Sequence, residues 1–544
     1  MARTSPQKNP RLELLNIEKA IFEDNQRTIQ DAAVVSDKNF KAYQNRYQKA
    51  ISRYQQAVSV KEALEAIDQA DVILFGDYHT LDQSQRSFVR FLRRFFKAQD
   101  KKVVVALEAI QHRHQKYLDQ FMAGRLLPEQ FIKKIGFKEH WFFDLWDNYA
   151  IIFDFLKFHN VATYGIEAPG SDKNTLLERD RFMATRIVDL LDKHPEHRVF
   201  VSVGDLHLAP EHLPHEIQKL AKAKKKKIKV LSFFQNSPHI YWKLSESELV
   251  DHTLLVQLRK DAYCRMHTPP IIVQQSFLNW LYHDEGRFDW IDAKASFLHI
   301  VERVAKILEL DLPDDYEDVE VYTCGDLGFM HLSDFKKRFS KKEIEFIKSQ
   351  LLNSQSYFMP EARLVYVANV SIHHAAEEAT HYLKMLMAGL EGPRSHKDAF
   401  YANILHEAIG FFGSKFINNK RKCARAKDFR AEKTYLENSG RETISHVVYE
   451  TCVLFLEHER RAKKGQVFHT NKITGISQEL FLSITHAIGY DLGDALYYGF
   501  LNGKIKLETV QDLFINPFKE DGEPVELYLQ LVQKLKGVRR PQRL

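Results

Sequence analysis

Short apolar runs alternate with amphipathic stretches between Asp71 and Asn236, and this alternation constrains the fold more than any other feature of the sequence. Each run has the length of a buried strand, and the stretches between runs have helical periodicity. The runs are Asp71–Phe75, Lys101–Leu107, Val161–Ile166, Val199–Val203 and Ile228–Phe233. Apolar strands separated by helices form βαβ units, so the pattern predicts an α/β fold with a mainly parallel sheet and helices on both faces.

The chain outside this segment is predicted to be mostly helical. Its 544 residues exceed what one hydrophobic core usually supports, so we expect more than one domain. Strand signals thin out beyond about Thr268, where apolar residues recur at helical spacing. We predict a helical N-terminal arm at 1–61, the α/β domain at 62–268, a helical connector at 269–357 and a mostly α-helical C-terminal domain at 358–544.

The charge, the cysteines and the apolar stretches of the chain indicate which partners and which compartment to expect. The formal net charge of +6 is small for this length, so we expect no nucleic-acid partner. The four cysteines lie far apart and form no C-x-x-C pair, which is typical of a reduced compartment. We see no signal peptide, no lipoprotein start and no apolar stretch of the roughly 20 residues that span a membrane. The sequence therefore predicts a cytoplasmic protein without a membrane span.

Polar side chains stand where the predicted strands end. The carboxyl ends of parallel strands meet at one edge of a sheet, and functional groups of α/β domains gather there. A glycine three residues before a histidine allows the sharp turn that carries the ring over that edge. The residues at these ends are Gly76, Asp77, Tyr78, His79, Glu108, Glu167, Gly204, Asp205 and His207.

Two G-x-x-H turns and a strand-end glutamate are a suitable ligand set for a divalent ion. Neutral imidazole and carboxylate groups bind zinc or iron, so His79, Glu108 and His207 are the candidate metal ligands. A carboxylate beside such an ion, Glu108 or Asp77, has the chemistry of a base that takes a proton from water. The pattern predicts a metal site at the edge of the sheet.

The same residues carry a resemblance to a known family. The segments ILFGDYH, VVVALEA, VATYGIEAP and FVSVGDLHLAP, between about 71 and 236, resemble the ChaN-like haem-binding domain. That domain belongs to a superfamily that includes Tiki, TraB and erythromycin esterase. The family pattern has G-E-x-H after the first strand, glutamate after the second and G-x-x-H after a late strand. This chain departs from it at Asp77, which stands where the family has glutamate.

The resemblance implies a binding function or a hydrolase. ChaN-like members are similar to haem carriers, which implies haem or an iron-type ion near His79, His207, Tyr78 and Glu167. The Tiki and esterase branches imply a metal-dependent hydrolase in which two histidines hold the ion and Glu108 is the base. The cofactor is thus expected to be haem or a divalent metal ion, iron or zinc. A non-catalytic interaction protein is the third alternative.

A second group of histidines and carboxylates occurs in the helical half. His373, Glu377 and His381 recur every four residues and share one face of a predicted helix. Glu378 and His381 form an E-x-x-H pair, the spacing used in ferritin-like di-iron helices. Such pairs also occur on solvated helix faces. One alternative is a metal-binding bundle, and the other is a helical interaction domain. In the bundle, further helices would bring histidine with carboxylate to the ion, namely His406 with Glu407, His446 with Glu450, and His486 with Asp491.

Overall fold

The computed structural model divides the chain into two compact units. We call Ala20–Glu285 with Gln542–Leu544 the sheet unit, and Met1–Lys19 with Gly286–Pro541 the helical unit. The residues that the structure describes are 10–32, 38–98, 102–137, 145–170, 174–284, 290–323, 339–352, 356–367, 372–438 and 446–541. No described helix is both long enough and apolar enough to cross a membrane.

An eight-stranded sheet forms the centre of the sheet unit. In spatial order its strands are β1, β7, β8, β6, β2, β5, β3 and β4. The six strands from β8 to β4 run parallel, whereas β7 pairs antiparallel with β8 and with β1. In chain order the strands are β1 Gln56–Ala57, β2 Val72–Asp77, β3 Val103–Gln111, β4 Ala162–Glu167, β5 Arg198–Gly204, β6 Val230–Gln235, β7 Leu255–Arg259 and β8 Ala262–Arg265.

Helices cover both faces of this sheet. In chain order they are α1 Pro10–Ala32, which begins before Ala20, then α2 Lys38–Ala50, α3 Val60–Asp68, α4 Asp82–Ala98, α5 Gln115–Met122, α6 Pro128–Ile135, α7 Trp146–Phe158, α8 Leu176–Lys193, α9 Leu213–Ala223, α10 Pro238–Glu246 and α11 Pro270–Asp284. Successive side chains of a strand point to opposite faces. Ile73 and Phe75 accordingly enter one apolar core, and Val72 and Leu74 enter the other. Burial on both faces explains why these strands are continuous apolar runs.

The helical unit contains ten described helices that lie wholly within it, and one small sheet. The helices are α12 Trp290–Ile307, α13 Lys341–Leu352, α14 Ile372–Ala388, α15 His396–Ile417, α16 Ala426–Asn438, α17 His446–Ala462, α18 Thr470–Thr474, α19 Gln478–Leu501, α20 Leu507–Ile515 and α21 Glu523–Lys534. The strands are β9 Glu320–Thr323, β10 Tyr357–Met359 and β11 Leu364–Val367, in the spatial order β10, β11, β9.

The structure confirms the predicted fold class, an α/β unit with a mainly parallel sheet followed by a mostly α-helical C-terminal region. Each of the five predicted apolar runs coincides with one of the parallel strands β2 to β6. The pattern did not predict β7 and β8, which extend the sheet, or the short strands β9 to β11. Strands of three to five residues give too few alternations for periodicity to detect.

Candidate functional site

The ends of β2 and β5 lie side by side and bring the two G-x-x-H turns together. Gly76 pairs with Val203, and Asp77 pairs with Gly204. A Cβ atom on Gly76 would overlap the Asp205 carboxylate, so only glycine fits there. A Cβ on Gly204 would lie 3.2 Å from His79 Nε2 and 3.4 Å from Glu108 Oε2, which shows how closely the first turn approaches the second.

His79 is held by a carboxylate and a tyrosine. Its Nδ1 lies 2.9 Å from Asp77 Oδ2 and 3.0 Å from the Tyr149 hydroxyl, which itself donates to Asp77 at 2.5 Å. Gln85 donates to the other oxygen of Asp77 at 2.6 Å. Burial lowers the pKa of His79, but the hydrogen bond to Asp77 and its negative charge outweigh burial and raise it. These contacts hold Nδ1 against Asp77, so Nε2 lies on the side of the ring that faces Gly204.

Glu108 is a buried carboxylate surrounded by donors. Arg179 donates to Oε1 at 2.5 Å, the backbone N–H of Gly204 donates to Oε2 at 2.5 Å, and Arg179 also bonds Glu167. Burial raises the pKa of Glu108, but His207 and Arg179 together lower it well below its usual range. Glu108 is therefore ionised at neutral pH, and Arg179 joins it to the end of β4.

His207 has a similar arrangement on the other side of Glu108. Its Nδ1 lies 2.6 Å from Asp180 Oδ1, and its Nε2 lies 3.5 Å from Glu108 Oε1. The Tyr43 hydroxyl donates to Asp180 at 2.8 Å and lies 3.0 Å from His207 Nδ1. Burial lowers the pKa of His207, but Asp180 and Glu108 outweigh burial and raise it to about 9. His207 is only 3% exposed.

The carboxylate of Asp205 is buried between the two G-x-x-H turns. Tyr47 donates to its Oδ2, and the backbone N–H of Gln235 donates to its Oδ1 at 3.3 Å. Burial raises the pKa of Asp205 to about 7, although both hydrogen bonds oppose the shift. The carboxylate therefore connects the second turn to α2 and to β6.

The structure thus brings His79, Glu108 and His207 together. Each imidazole has its Nδ1 against an aspartate and its Nε2 near Glu108 or Gly204. Tyr78 follows Asp77 directly and is half-buried, and burial raises its pKa to about 12. Within the described part of the chain, no three His, Cys, Asp or Glu side chains stand in an arrangement that could hold a metal ion.

Several residues of the site were not predicted from the sequence. Arg179 and Asp180 lie in α8, Tyr43 and Tyr47 lie in α2, and Gln85 lies in α4. The predictions were confined to strand ends, whereas these residues reach the site from helices. One signal was present: Tyr43 and Tyr47 are spaced four apart in an otherwise polar stretch, which places both on one helix face.

The second predicted cluster faces a cavity in the helical unit. Glu377, Glu378 and His381 line this cavity, which has a volume of about 1220 Å³. His373 lies in α14, but its side chain falls outside the described set. The same space is lined by His406, Glu407 and His486, which come from two of the further helices in the predicted bundle, and by His374, which was not predicted.

Comparison with known proteins shows what part of the sheet unit is similar to. Residues 63–177 match the family model described as haem-binding uptake, Tiki superfamily, ChaN. A solved structure of ChaN of Campylobacter jejuni, titled for cofacial haem binding, is 15% identical, with a TM-score of 0.28, over 39% of this chain and 93% of that one. No curated protein matches the chain. The family-model match confirms the predicted resemblance, and the matched segment carries His79 and Glu108.

Proposed function

We propose that the sheet unit binds haem at the strand ends, with His79 as the axial ligand. The observation that carries this proposal is the position of His79 in the segment that matches the haem-binding family, with Nδ1 fixed and the ring 20% exposed. Haem requires an axial imidazole or phenolate, and an imidazole whose Nδ1 faces a carboxylate is a stronger ligand. Bound haem would supply an iron centre, and the protein would act as a carrier of that haem.

The other predicted residues have supporting roles in this proposal. Tyr78 is adjacent to His79 and half-buried, which makes it the second candidate ligand. His207 and Glu167 are 3% and 1% exposed, and both are bonded within the unit, so we assign them to positioning Glu108 and Arg179. The ionised Glu108 places negative charge near His79. This charge favours binding of haem, whose iron is positively charged.

A hemin titration of the full chain tests the proposal. We expect one equivalent of hemin to give a shifted Soret band, and His79→Ala to weaken binding at least about tenfold because an axial ligand is lost. In this variant Asp77 keeps its hydrogen bonds from Tyr149 and Gln85, so the fold should persist. Circular dichroism would show this. His252→Ala is the matched control, because His252 is an exposed histidine of the same unit. Equal affinity of His79→Ala and wild type would refute the assignment.

A metal-dependent hydrolase is the second candidate, and a separate observation favours it. Histidines that bind metals commonly hold their other nitrogen against a carboxylate, as His79 does with Asp77 and His207 does with Asp180. In this candidate His79 and His207 would hold the ion, and Glu108 or Asp77 would be the base. Arg179 would have to release Glu108, and the side chains would have to move, because no three described His, Cys, Asp or Glu side chains are arranged to hold a metal ion. Elemental analysis of the purified protein tests this candidate. Stoichiometric zinc or iron in the wild type that is lost in His79→Ala and also in His207→Ala would support it over haem.

A further inference from the structure

The helical unit contains an open cavity, lined by polar and apolar side chains, that the proposed haem site does not use. Its walls come from α14, α15 and α19, from strand β10 and from the segment that follows α15. Its volume of about 1220 Å³ exceeds what a metal ion needs. It lies just above the roughly 300 to 1,000 Å³ of pockets for small organic molecules, so such a molecule has room to bind. The cavity is therefore a candidate ligand site.

The cavity is built by close approach of its helices. A Cβ atom on Gly410 of α15 would overlap the ring of His381 of α14, and a Cβ on Gly489 of α19 would overlap Cβ of Glu407 of α15. Both glycines therefore lie directly behind a polar side chain that lines the cavity. Helix packing at this distance fixes where His381 and Glu407 stand.

Negative charge predominates on the cavity wall. Six glutamates line it, against one lysine, one arginine and four histidines, and burial lowers the pKa of two of those histidines, His374 and His406. Arg421 donates to Glu377 at 2.7 Å and to the Tyr490 hydroxyl at 2.8 Å. Lys384 donates to the backbone carbonyl of Asn516 and is 2% exposed. Both cations thus have partners within the unit, and an anionic ligand would meet an excess of carboxylates.

Glu407 and Glu378 are the carboxylates best placed for a cationic ligand. Glu407 is 21% exposed, and its Oε2 lies 2.9 Å from Nδ1 of the half-exposed His486. Glu378 is 3.4 Å from His381 Nδ1, while His381 Nε2 donates to the carbonyl of His406 at 3.1 Å. Burial and the charges of Glu377 and Glu407 raise the pKa of Glu378, although His381 opposes this. A cation beside these groups would relieve their mutual repulsion.

Apolar and aromatic side chains complete the wall. Tyr357 and Phe358 of β10 line the cavity together with Met385 and Leu482. Aromatic faces attract ammonium groups, and apolar side chains favour a ligand with a hydrocarbon part. The combination of carboxylates, aromatic rings and apolar groups is therefore suited to an amine with an apolar body.

We propose that this cavity binds a small organic cation, an ammonium group attached to an apolar body, with the ammonium between Glu407 and Glu378. Ammonium–carboxylate hydrogen bonds are strengthened in a partly desolvated site, which gives the amine its advantage over a neutral analogue. The predicted metal cluster is less well supported, because no described group of three His, Cys, Asp or Glu side chains has metal-ligand geometry.

Two isosteric pairs of probes test the proposal on the full chain. Benzylamine is compared with benzyl alcohol, and 1,4-diaminobutane with 1,4-butanediol, by calorimetric titration. We expect each amine to bind at least about tenfold more tightly than its alcohol, and Glu407→Gln or Glu378→Gln to reduce amine affinity by about tenfold. Glu526→Gln, an exposed carboxylate of α21 outside the cavity, is the control and should leave affinity unchanged.

Three outcomes would overturn the proposal. Equal affinity for amine and alcohol would show that charge is not recognised. Amine binding that survives both Glu407→Gln and Glu378→Gln in folded protein would place the site elsewhere. Stoichiometric metal in the purified protein that Glu378→Gln and His381→Ala both remove would show that the cavity is a metal site. Thermal melting of each variant verifies folding, and Glu407→Gln keeps the size of the side chain that contacts His486.

Discussion

The strand-end site and the helical cavity contain the same residue types in different arrangements. At the strand ends the charged groups bond one another closely: Glu108, Glu167 and Asp180 are 3%, 1% and 0% exposed, and each has a cationic partner. In the cavity Glu377, Glu378 and Glu407 also contact an arginine or a histidine, but they line an open volume, and the side chain of His486 is 50% exposed. The strand-end network fixes the positions of its members and has His79 at its edge. The residues of the cavity instead surround an open volume.

This difference suggests different roles for similar side chains. A buried, fully bonded charge network is costly to disturb and holds its members in one geometry. An open cavity with excess negative charge is expected to gain stability from a ligand that neutralises it. The predictions below test whether the two sites behave in these two ways.

Removing the central cation of the strand-end network should have the largest effect. Arg179→Ala leaves Glu108 and Glu167 buried without their shared partner, and breaking a buried pair costs about 3 to 5 kcal/mol of unfolding free energy. Four of the five tryptophans precede Glu285, so urea unfolding followed by tryptophan fluorescence reports on the sheet unit. Arg181→Ala, whose side chain is 56% exposed, should cost less than about 1 kcal/mol. Similar costs for both variants would contradict the account.

Filling the close helix contact behind the cavity should have an intermediate effect. Gly410→Ala places a methyl group against His381, and overpacking of this kind costs about 1 to 3 kcal/mol. Calorimetric melting measures the loss, and amine affinity should fall as well because His381 must move. Gly392→Ala is the control, since nothing lies within 4 Å of the added atom. A Gly410→Ala variant with unchanged stability and affinity would show that this contact does not shape the cavity.

The sheet unit should also lose stability as the pH rises. The pKa of His207 rises from an ordinary 6.5 to about 9, so its stabilising contribution is complete below about 6.5 and is lost as pH rises through 9. The raised pKa of Asp205, about 7, acts in the same direction at lower pH. The unit should therefore unfold at lower urea concentration at pH 9.5 than at pH 6. His207→Gln should flatten this dependence, and an equally steep dependence in that variant would contradict the assignment.

The sequence predicted the strand-end site better than the cavity for a physical reason. Parallel strands deliver their carboxyl ends to one edge, so the order of His79, Glu108 and His207 along the chain was enough to predict their proximity. Their helical partners, such as Arg179 and Tyr43, depend on how helices pack over the sheet, which periodicity does not determine. The cavity depends entirely on such packing, since Glu407 and His486 come from separate helices brought together at Gly489.

The most direct test of two separate sites is a crossed titration of hemin and benzylamine against the same variants. We predict that His79→Ala weakens hemin at least about tenfold and leaves benzylamine unchanged, while Glu407→Gln does the reverse. His252→Ala and Glu526→Gln should affect neither ligand. Hemin binding that is lost in Glu407→Gln and retained in His79→Ala would place the haem in the helical cavity and contradict the account.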